Sequence, residues 1–248
     1  MKFDFETIGM KMLSGSKSTS FNTGSRSTLR SFKSMFGCPP VVVGKLWDLL
    51  DPDTHFGAKN MAPEHLLWGL LFLKHYSVET LHATVPGVSV DTFRKWAWIF
   101  VYQISYLEEE VIVWSNRYKG DTHEDCMVSV DGVDCRINGP SPYHEELSRQ
   151  WYSYKFKGAG VRYEIAVSIK AGHIVWINGP YPCGSYPDTR IFKLGIMHYL
   201  DPGERVEADA GYKSLDPQYV KARTRFSQQL DPVQVKKSKL QYVQGMKL

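Results

Sequence analysis

A change of hydrophobic periodicity near residue 120 constrains the fold of this chain more than any other feature. From residue 29 to about 118 the apolar residues recur at helical spacing, but after the polar stretch YKGDTHED (118–125) they form short β-rich runs. These runs are CMVSV, VDCRI, VRYEIAVSI and HIVWING, and a helical pattern and the short run RVEAD follow them. The order predicts an all-helical region, residues 29–118, followed by a layered α/β (α+β) domain at residues 125–216.

The helical half carries recognisable start and stop signals. Gly37 ends a first helix, and Pro63 suits the first turn of a strongly apolar helix that is predicted to be buried. After it, Ser77 and Ser89 are the predicted N-caps of two helices that the PGV break at 86–88 separates. The second of these two helices carries one apolar stripe, formed by Phe93, Trp96, Ala97, Phe100 and Ile104.

Two helices joined by a tight glycine-containing turn match the outline of a helix-turn-helix. In that interpretation the second helix presents Thr92, Arg94 and Lys95 near its N-terminus, where a recognition helix meets DNA. The alternative is an αα-hairpin that only packs against its neighbours, and the residues of this region leave both interpretations open.

Basic residues concentrate towards both ends of the chain, although its net charge is only +4. Residues 1–28 are rich in Ser, Thr and Gly from residue 11 onward and are predicted to form a flexible arm. Residues 217–248 form a basic C-terminal segment with seven Lys and Arg side chains against Asp231 alone. The two ends are either solvated, partly disordered segments or contacts for nucleic-acid phosphates, and charge alone does not decide.

Other features narrow the class of protein. No apolar run approaches the ~20 residues of a membrane-spanning helix, and the N-terminus lacks the pattern of a secretory leader. We therefore expect an intracellular protein with no membrane partner. The four cysteines are scattered without a C-x-x-C pair, which argues against a zinc knuckle or a disulfide framework.

Three aspartates fall at predicted element ends in the second half. Asp131 lies between two apolar runs, Asp188 opens the predicted helix, and Asp209 ends the run RVEAD. Each has a purely structural explanation, since Asp131-Gly132 suits a hairpin turn, Asp188 an N-cap, and Asp209 a turn at Ala210-Gly211. A second predicted hairpin turn, Ala171-Gly172, completes a three-strand antiparallel meander.

Taken together, the three aspartates point to a metal site. Strand ends on one edge of a sheet converge, and carboxylates gathered there repel each other unless a cation lies between them. Oxygen ligands of this kind suit Mg²⁺ or Mn²⁺, and two such ions ~3.5–4 Å apart can promote phosphodiester cleavage. Asp131 is thus interpreted both as a hairpin residue and as a metal ligand.

Four stretches also carry a resemblance to a known family. VSVDGVDCRI, WYSYKFKGAGVRYEIAVSI, GPYPCGSYPDTRIF and RVEADAGY together resemble the nuclease domain of PIF/Harbinger-type DDE transposases. The upstream FRKWAW and HLLWGLLFLKHY resemble the helical N-terminal region of the same group, so the resemblance covers roughly residues 30–220. Its most specific parts are the block at 184–188 and EADAGY.

The resemblance implies an RNase H-like mixed sheet and Mg²⁺- or Mn²⁺-dependent hydrolysis and strand transfer on DNA. It implies that Asp131, Asp188 and Asp209 are catalytic and bind the metal, and Lys155 and Lys157 are further candidate DNA contacts. The family also has a glutamate on a later helix, but beyond Asp216 this sequence offers no glutamate. The expectation is a chain cut short or altered before that helix, with an incomplete catalytic set.

Several functions therefore remain open. The first is a transposase-derived, metal-dependent DNA endonuclease or strand transferase, and the second is a non-catalytic DNA- or protein-binding module derived from one. A third is an unrelated α/β domain whose aspartates only form turns. The expected partner is DNA, with a homo-oligomer and an accessory DNA-binding protein as further candidates, and the expected location is nuclear in a eukaryotic host and cytoplasmic otherwise.

Overall fold

The chain divides into two compact units, Met1–Val111 and Ile112–Leu248. The sequence pattern changes slightly later, at 118–125, and most of that stretch lies outside the residues that the structure describes. The domain boundaries drawn from the sequence therefore stay predictions. The computed structural model describes residues 3–15, 22–51, 61–120, 126–139 and 145–222.

The first unit is helical throughout its described residues. No helix in the described part of the chain is long and apolar enough to cross a membrane. The helices are α1 (Phe5–Ser14), α2 (Arg26–Phe36), α3 (Pro40–Leu50), α4 (Pro63–His75), α5 (Glu79–Thr84), α6 (Val90–Tyr106) and α7 (Glu108–Val111).

The sequence signals for these helices are largely confirmed. Gly37 ends α2 in the left-handed conformation at φ 82°, which glycine adopts without strain. Ser89 caps α6 by accepting a hydrogen bond from the Thr92 amide at 3.2 Å. Helix α4 is buried on most sides, as its composition predicts. The stripe along α6 enters the core of this unit through Phe93, Trp96, Ala97 and Phe100.

Two predictions for this unit are corrected. Part of the predicted flexible arm, residues 1–28, forms helix α1, because Asp4 caps it and Phe5 and Met10 are buried against the helical core. Residues 16–21 of the arm lie outside the described residues. Ser77 is not the cap of α5, which begins after Val78; instead its amide donates to Nε2 of His82 at 3.1 Å.

The second unit is built on a mixed sheet. Strands β3 and β4 continue antiparallel from β1, β5 lies parallel to β1 on its other side, and β6 lies parallel to β5. This topology, with a helix between β4 and β5, is that of an RNase H-like α/β domain. The elements are β1 (Cys126–Arg136), α8 (Glu145–Trp151), β2 (Tyr152–Ser153), β3 (Gly158–Ser168), β4 (Ile174–Pro182), α9 (Asp188–Leu194), β5 (Arg205–Ala208) and β6 (Val220–Ala222).

The predicted hairpin at Asp131-Gly132 does not exist. The two apolar runs around it form one continuous eleven-residue strand, β1, in which Asp131 pairs with Ile165 and Gly132 with Glu164 of β3. The predicted turn at Ala171-Gly172 is confirmed, since Gly172 has φ 69° between β3 and β4. The antiparallel meander therefore exists, but it consists of β1, β3 and β4.

The two faces of this sheet differ in burial. Val128 and Val130 of β1 are buried together with Phe192 of α9 and Val206 of β5. Since strand neighbours point to opposite faces, Ser129, Asp131 and Val133 share the other, more exposed face. We refer to these as the helix-covered face and the open face.

Candidate active site

The sheet register places two of the three predicted aspartates side by side. In the parallel pairing of β1 and β5, the last matched residues are Val130 and Ala208. Asp131 and Asp209 follow directly, and Asp209 is still in extended backbone at φ −75° and ψ −179°. Because Val130 and Ala208 point to the helix-covered face, both aspartates project on the open face.

Short backbone contacts orient these two carboxylates. Oδ1 of Asp131 accepts from the Gly132 amide at 2.8 Å, and Oδ1 of Asp209 accepts from the Gly211 amide at 2.7 Å. Both aspartates are exposed, so their remaining oxygen atoms face solvent. Two carboxylates with access to water fit Mg²⁺, which binds one or two carboxylates and keeps several waters.

Asp188 lies on the opposite, helix-covered face. It is the first residue of α9, and its Oδ1 lies so close to the α-carbon of Gly132 that any side chain at residue 132 would collide with it. Burial raises the pKa of Asp188, the charges of Arg162 and Lys155 lower it, and the charge of Asp131 raises it further. Asp188 is therefore within electrostatic reach of Asp131 but not beside it.

This placement puts Asp188 on a different sheet face from Asp131 and Asp209. Among the described residues, no group of three His, Cys, Asp or Glu side chains is close enough to hold a metal ion. Strand alternation separates residues 131 and 132, so a carboxylate that lies over Gly132 is on the opposite face from Asp131. The catalytic and metal-binding roles of Asp188 stay predictions. Metal binding by Asp131 and Asp209 stays a prediction.

A buried ion pair, Asp134–Arg162, supports the helix-covered face and was missed in the sequence. Asp134 has a side chain only 1% exposed and accepts from Nε and Nη2 of Arg162 at 2.7 and 3.1 Å. The Ser153 hydroxyl donates to it at 2.5 Å. Burial alone would raise the pKa of Asp134, but the hydrogen bonds from Arg162 and Ser153 lower it to about 2.

The same arginine holds Asp188. Nη1 of Arg162 lies 3.2 Å from Oδ1 of Asp188, an ion pair without hydrogen-bond geometry. Arg162 thus contacts two carboxylates on one face. Because Arg162 is paired with Asp188, the two aspartates on the open face, Asp131 and Asp209, are the more accessible candidates for binding a metal ion.

Glu164 is a second buried acid that sequence reasoning missed. It pairs across the sheet with Gly132, is 1% exposed, and accepts from Nε1 of Trp176 at 3.0 Å. Burial outweighs the hydrogen bond from Trp176 and raises the pKa of Glu164 to about 7. Its Oε1 has no hydrogen-bond partner in the described part of the chain.

The predicted DNA contacts of α6 are largely engaged within the protein. The Thr92 hydroxyl lies 2.8 Å from that of Ser89, within the helix cap. Arg94 is 51% exposed but pairs with Glu79 at 2.5 Å and with Asp91 at 2.9 Å. Nζ of Lys95 lies 4.9 Å from the centre of the Trp96 ring.

One of the other two predicted DNA contacts, Lys155, lies beside the candidate site. Nζ of Lys155 donates to the carbonyl oxygen of Gly132 at 2.7 Å and lies 3.7 Å from Oδ1 of Asp134. Lys157 is exposed and has a left-handed backbone at φ 52°. DNA binding by these residues stays a prediction.

The comparison with known families agrees with this geometry. The family model described as DDE superfamily endonuclease matches residues 130–241, a range that begins one residue before Asp131 and includes Asp188 and Asp209. No curated protein and no solved structure matches the chain. The helical unit lies outside the matched range. Residues 130–241 are thus matched as a DDE superfamily endonuclease domain.

Proposed function

We propose that this chain is a transposase-derived, divalent-metal-dependent DNA endonuclease or strand transferase of the PIF/Harbinger type. The observation that supports it is the position of Asp131 and Asp209, each of which directly follows the last residue paired between the parallel strands β1 and β5. Both aspartates lie in the range that matches the DDE superfamily endonuclease model. Paired carboxylates on one sheet face suit the binding of Mg²⁺ or Mn²⁺.

The residues around this pair have distinct roles in the proposal. Asp131 and Asp209 hold the ion, which would supply Lewis-acid activation of a water or a 3′-hydroxyl next to a phosphodiester. Lys155, whose side chain is 54% exposed, offers its ammonium group to a neighbouring phosphate. Asp188, which pairs with Arg162 on the helix-covered face, is the third candidate catalytic acid and metal ligand.

Few acidic residues are available to bind metal ions in this proposal. Residues 217–248 contain no glutamate, and Asp231 is the single acid among them. With two carboxylates, one ion is held well and a second lacks ligands. We therefore expect the chain to bind Mg²⁺ or Mn²⁺ and DNA but to cut weakly.

A plasmid-nicking assay with Mn²⁺ tests the proposal. Asp131→Asn and Asp209→Asn should each reduce the nicking rate by at least ~10²-fold, the scale of losing one electrostatic contact to the reacting centre. Asp48→Asn is the matched control, because Asp48 is an exposed aspartate of α3 in the helical unit. Nicking that survives both site substitutions would contradict the proposal.

A second candidate function is a non-catalytic DNA-binding module. It is favoured by the seven basic residues of residues 217–248. This function predicts salt-sensitive DNA binding that Asp131→Asn leaves unchanged. It also predicts that the wild-type protein nicks DNA no faster than Asp131→Asn does, even in Mn²⁺. We further propose a protein-binding role, self-association and an accessory DNA-binding protein, which co-purification would test. We also propose a nuclear location in a eukaryotic host, which a fluorescent fusion would test.

A further inference from the structure

We propose that the hairpin formed by β2 and the start of β3, residues 152–158, binds an unpaired DNA base beside the candidate carboxylates. We call this segment the Tyr–Lys hairpin. The inference rests on the proposed function in one respect, because it takes DNA to be the substrate. It adds the substrate class, DNA with an unpaired nucleotide near the point of cleavage.

The first observation is an exposed pair of aromatic rings. The rings of Tyr152 and Tyr154 meet edge to face, with centroids 5.1 Å apart and an angle of 87°. Tyr154 is 86% exposed and Tyr152 36%. The side chain of Ser153 points inward to Asp134, so strand alternation turns its β2 neighbour Tyr152 outward, and Tyr154 begins the turn that follows β2.

The second observation is the charge of the hairpin. Residues 152–158 include Lys155 and Lys157 and no acidic residue. Beside them, the guanidinium of Arg136 lies 5.1 Å from the centre of the Phe156 ring. Aromatic rings alternating with cations form the chemistry that holds single strands, since bases stack on the rings while the cations meet the phosphates.

The third observation is the attachment of the hairpin to the site. Lys155 donates to the carbonyl oxygen of Gly132, the residue that follows Asp131. Ser153 is fixed to Asp134 three residues beyond Asp131. Hydrogen bonds from Ser153, between the two tyrosines, and from Lys155, directly after Tyr154, thus connect the hairpin to β1, the strand that carries Asp131. A DNA strand held at Asp131 would pass the two tyrosines.

The chemistry of stacking selects an unpaired base. Inside a duplex both faces of a base are covered by its neighbours, so a protein ring reaches a base face only at a single strand, a bulge or a flipped nucleotide. An exposed edge-to-face pair such as Tyr152–Tyr154 presents one ring face for such a base. The Tyr–Lys hairpin therefore fits unpaired DNA better than intact duplex.

The test measures DNA binding by the full chain in EDTA, so that cutting does not interfere. The probes are a short duplex with one unpaired fluorescent adenine analogue and the same duplex fully paired. Tyr154→Ala should weaken binding of the unpaired probe about 5- to 150-fold, the range for one stacked base, and leave the paired duplex unchanged. Tyr154→Phe should retain binding, because it keeps the ring, and Tyr106→Ala is the control at a 73% exposed tyrosine of α6.

The outcomes separate this inference from the proposed function. Tyr154-dependent preference for the unpaired probe without any Mn²⁺-dependent nicking would support the hairpin site and reject the nuclease. Nicking that depends on Asp131, together with equal binding of both probes by wild type and Tyr154→Ala, would overturn the hairpin site alone. Failure to bind either probe would overturn both.

Discussion

Replacing Glu164 by glutamine should stabilise the protein at neutral and alkaline pH, but not below pH 4.5. The side chain is 1% exposed and its pKa is raised from 4.5 to about 7. A carboxyl with a raised pKa in the folded state contributes stability that is fully present below pH 4.5 and is lost as the pH rises through 7. The difference of about 2.5 pH units, at about 1.4 kcal/mol per unit, amounts to ~3 kcal/mol.

Urea unfolding at pH 5 and pH 8.5 measures this effect. Glu164→Gln keeps the shape and the acceptor for Trp176 while removing the charge, so the two proteins should be similar at pH 5 and the variant more stable by up to ~3 kcal/mol at pH 8.5. Glu109→Gln, at an exposed position of α7, should change neither value. An equal loss of stability at both pH values would show that Glu164 is ionised in the folded protein throughout, and would refute the reasoning.

Three further changes test other parts of the structure. Burial lowers the pKa of His65 to about 4, so the helical unit should lose up to ~3 kcal/mol as the pH falls from 6.5 to 4, and His65→Asn should flatten that dependence in urea titrations. Gly132→Ala should cost about 1–3 kcal/mol by overpacking against α9, whereas Gly158→Ala, with no neighbour closer than 3.9 Å, should cost less in the same assay. Arg162→Met should cost about 3–5 kcal/mol by removing the guanidinium partner of the buried Asp134, and Asp134→Leu in the same chain should recover most of that loss in thermal unfolding.

Local signals in the sequence were sufficient for several of the helices and for the position of one aspartate. Gly37, Ser89 and Pro63 act within a single turn of their own helices, so their effect is visible in a short window. Asp209 also stands where the sequence places it, directly after a four-residue strand. These features depend on neighbours in the chain rather than on distant contacts.

The features that the sequence did not reveal depend on pairing between strands. Asp134 meets Arg162 only because β1 and β3 pair in one antiparallel register, across 28 residues of chain. Glu164 is buried for the same reason, since that register places it beside Gly132 under α9. The alternation of VRYEIAV does place Arg162 and Glu164 on one face, but the register that gives them their partners is not encoded locally.

The dipeptide Asp131-Gly132 joins the two faces of the sheet, and this explains both residues. Asp131 can stand beside Asp209 on the open face only if residue 132 points to the helix-covered face. There, Asp188 at the start of α9 lies against Gly132 and leaves no room for a side chain. The glycine is therefore required by the close approach of a helix, and the aspartate by the edge of two parallel strands. A hairpin turn favours the same two residue types, which is why the sequence predicts a hairpin where the structure has a continuous strand. A side chain at residue 132 would first displace Asp188 from Arg162, so the structural effect of such a change begins on the face opposite to the candidate metal ligands.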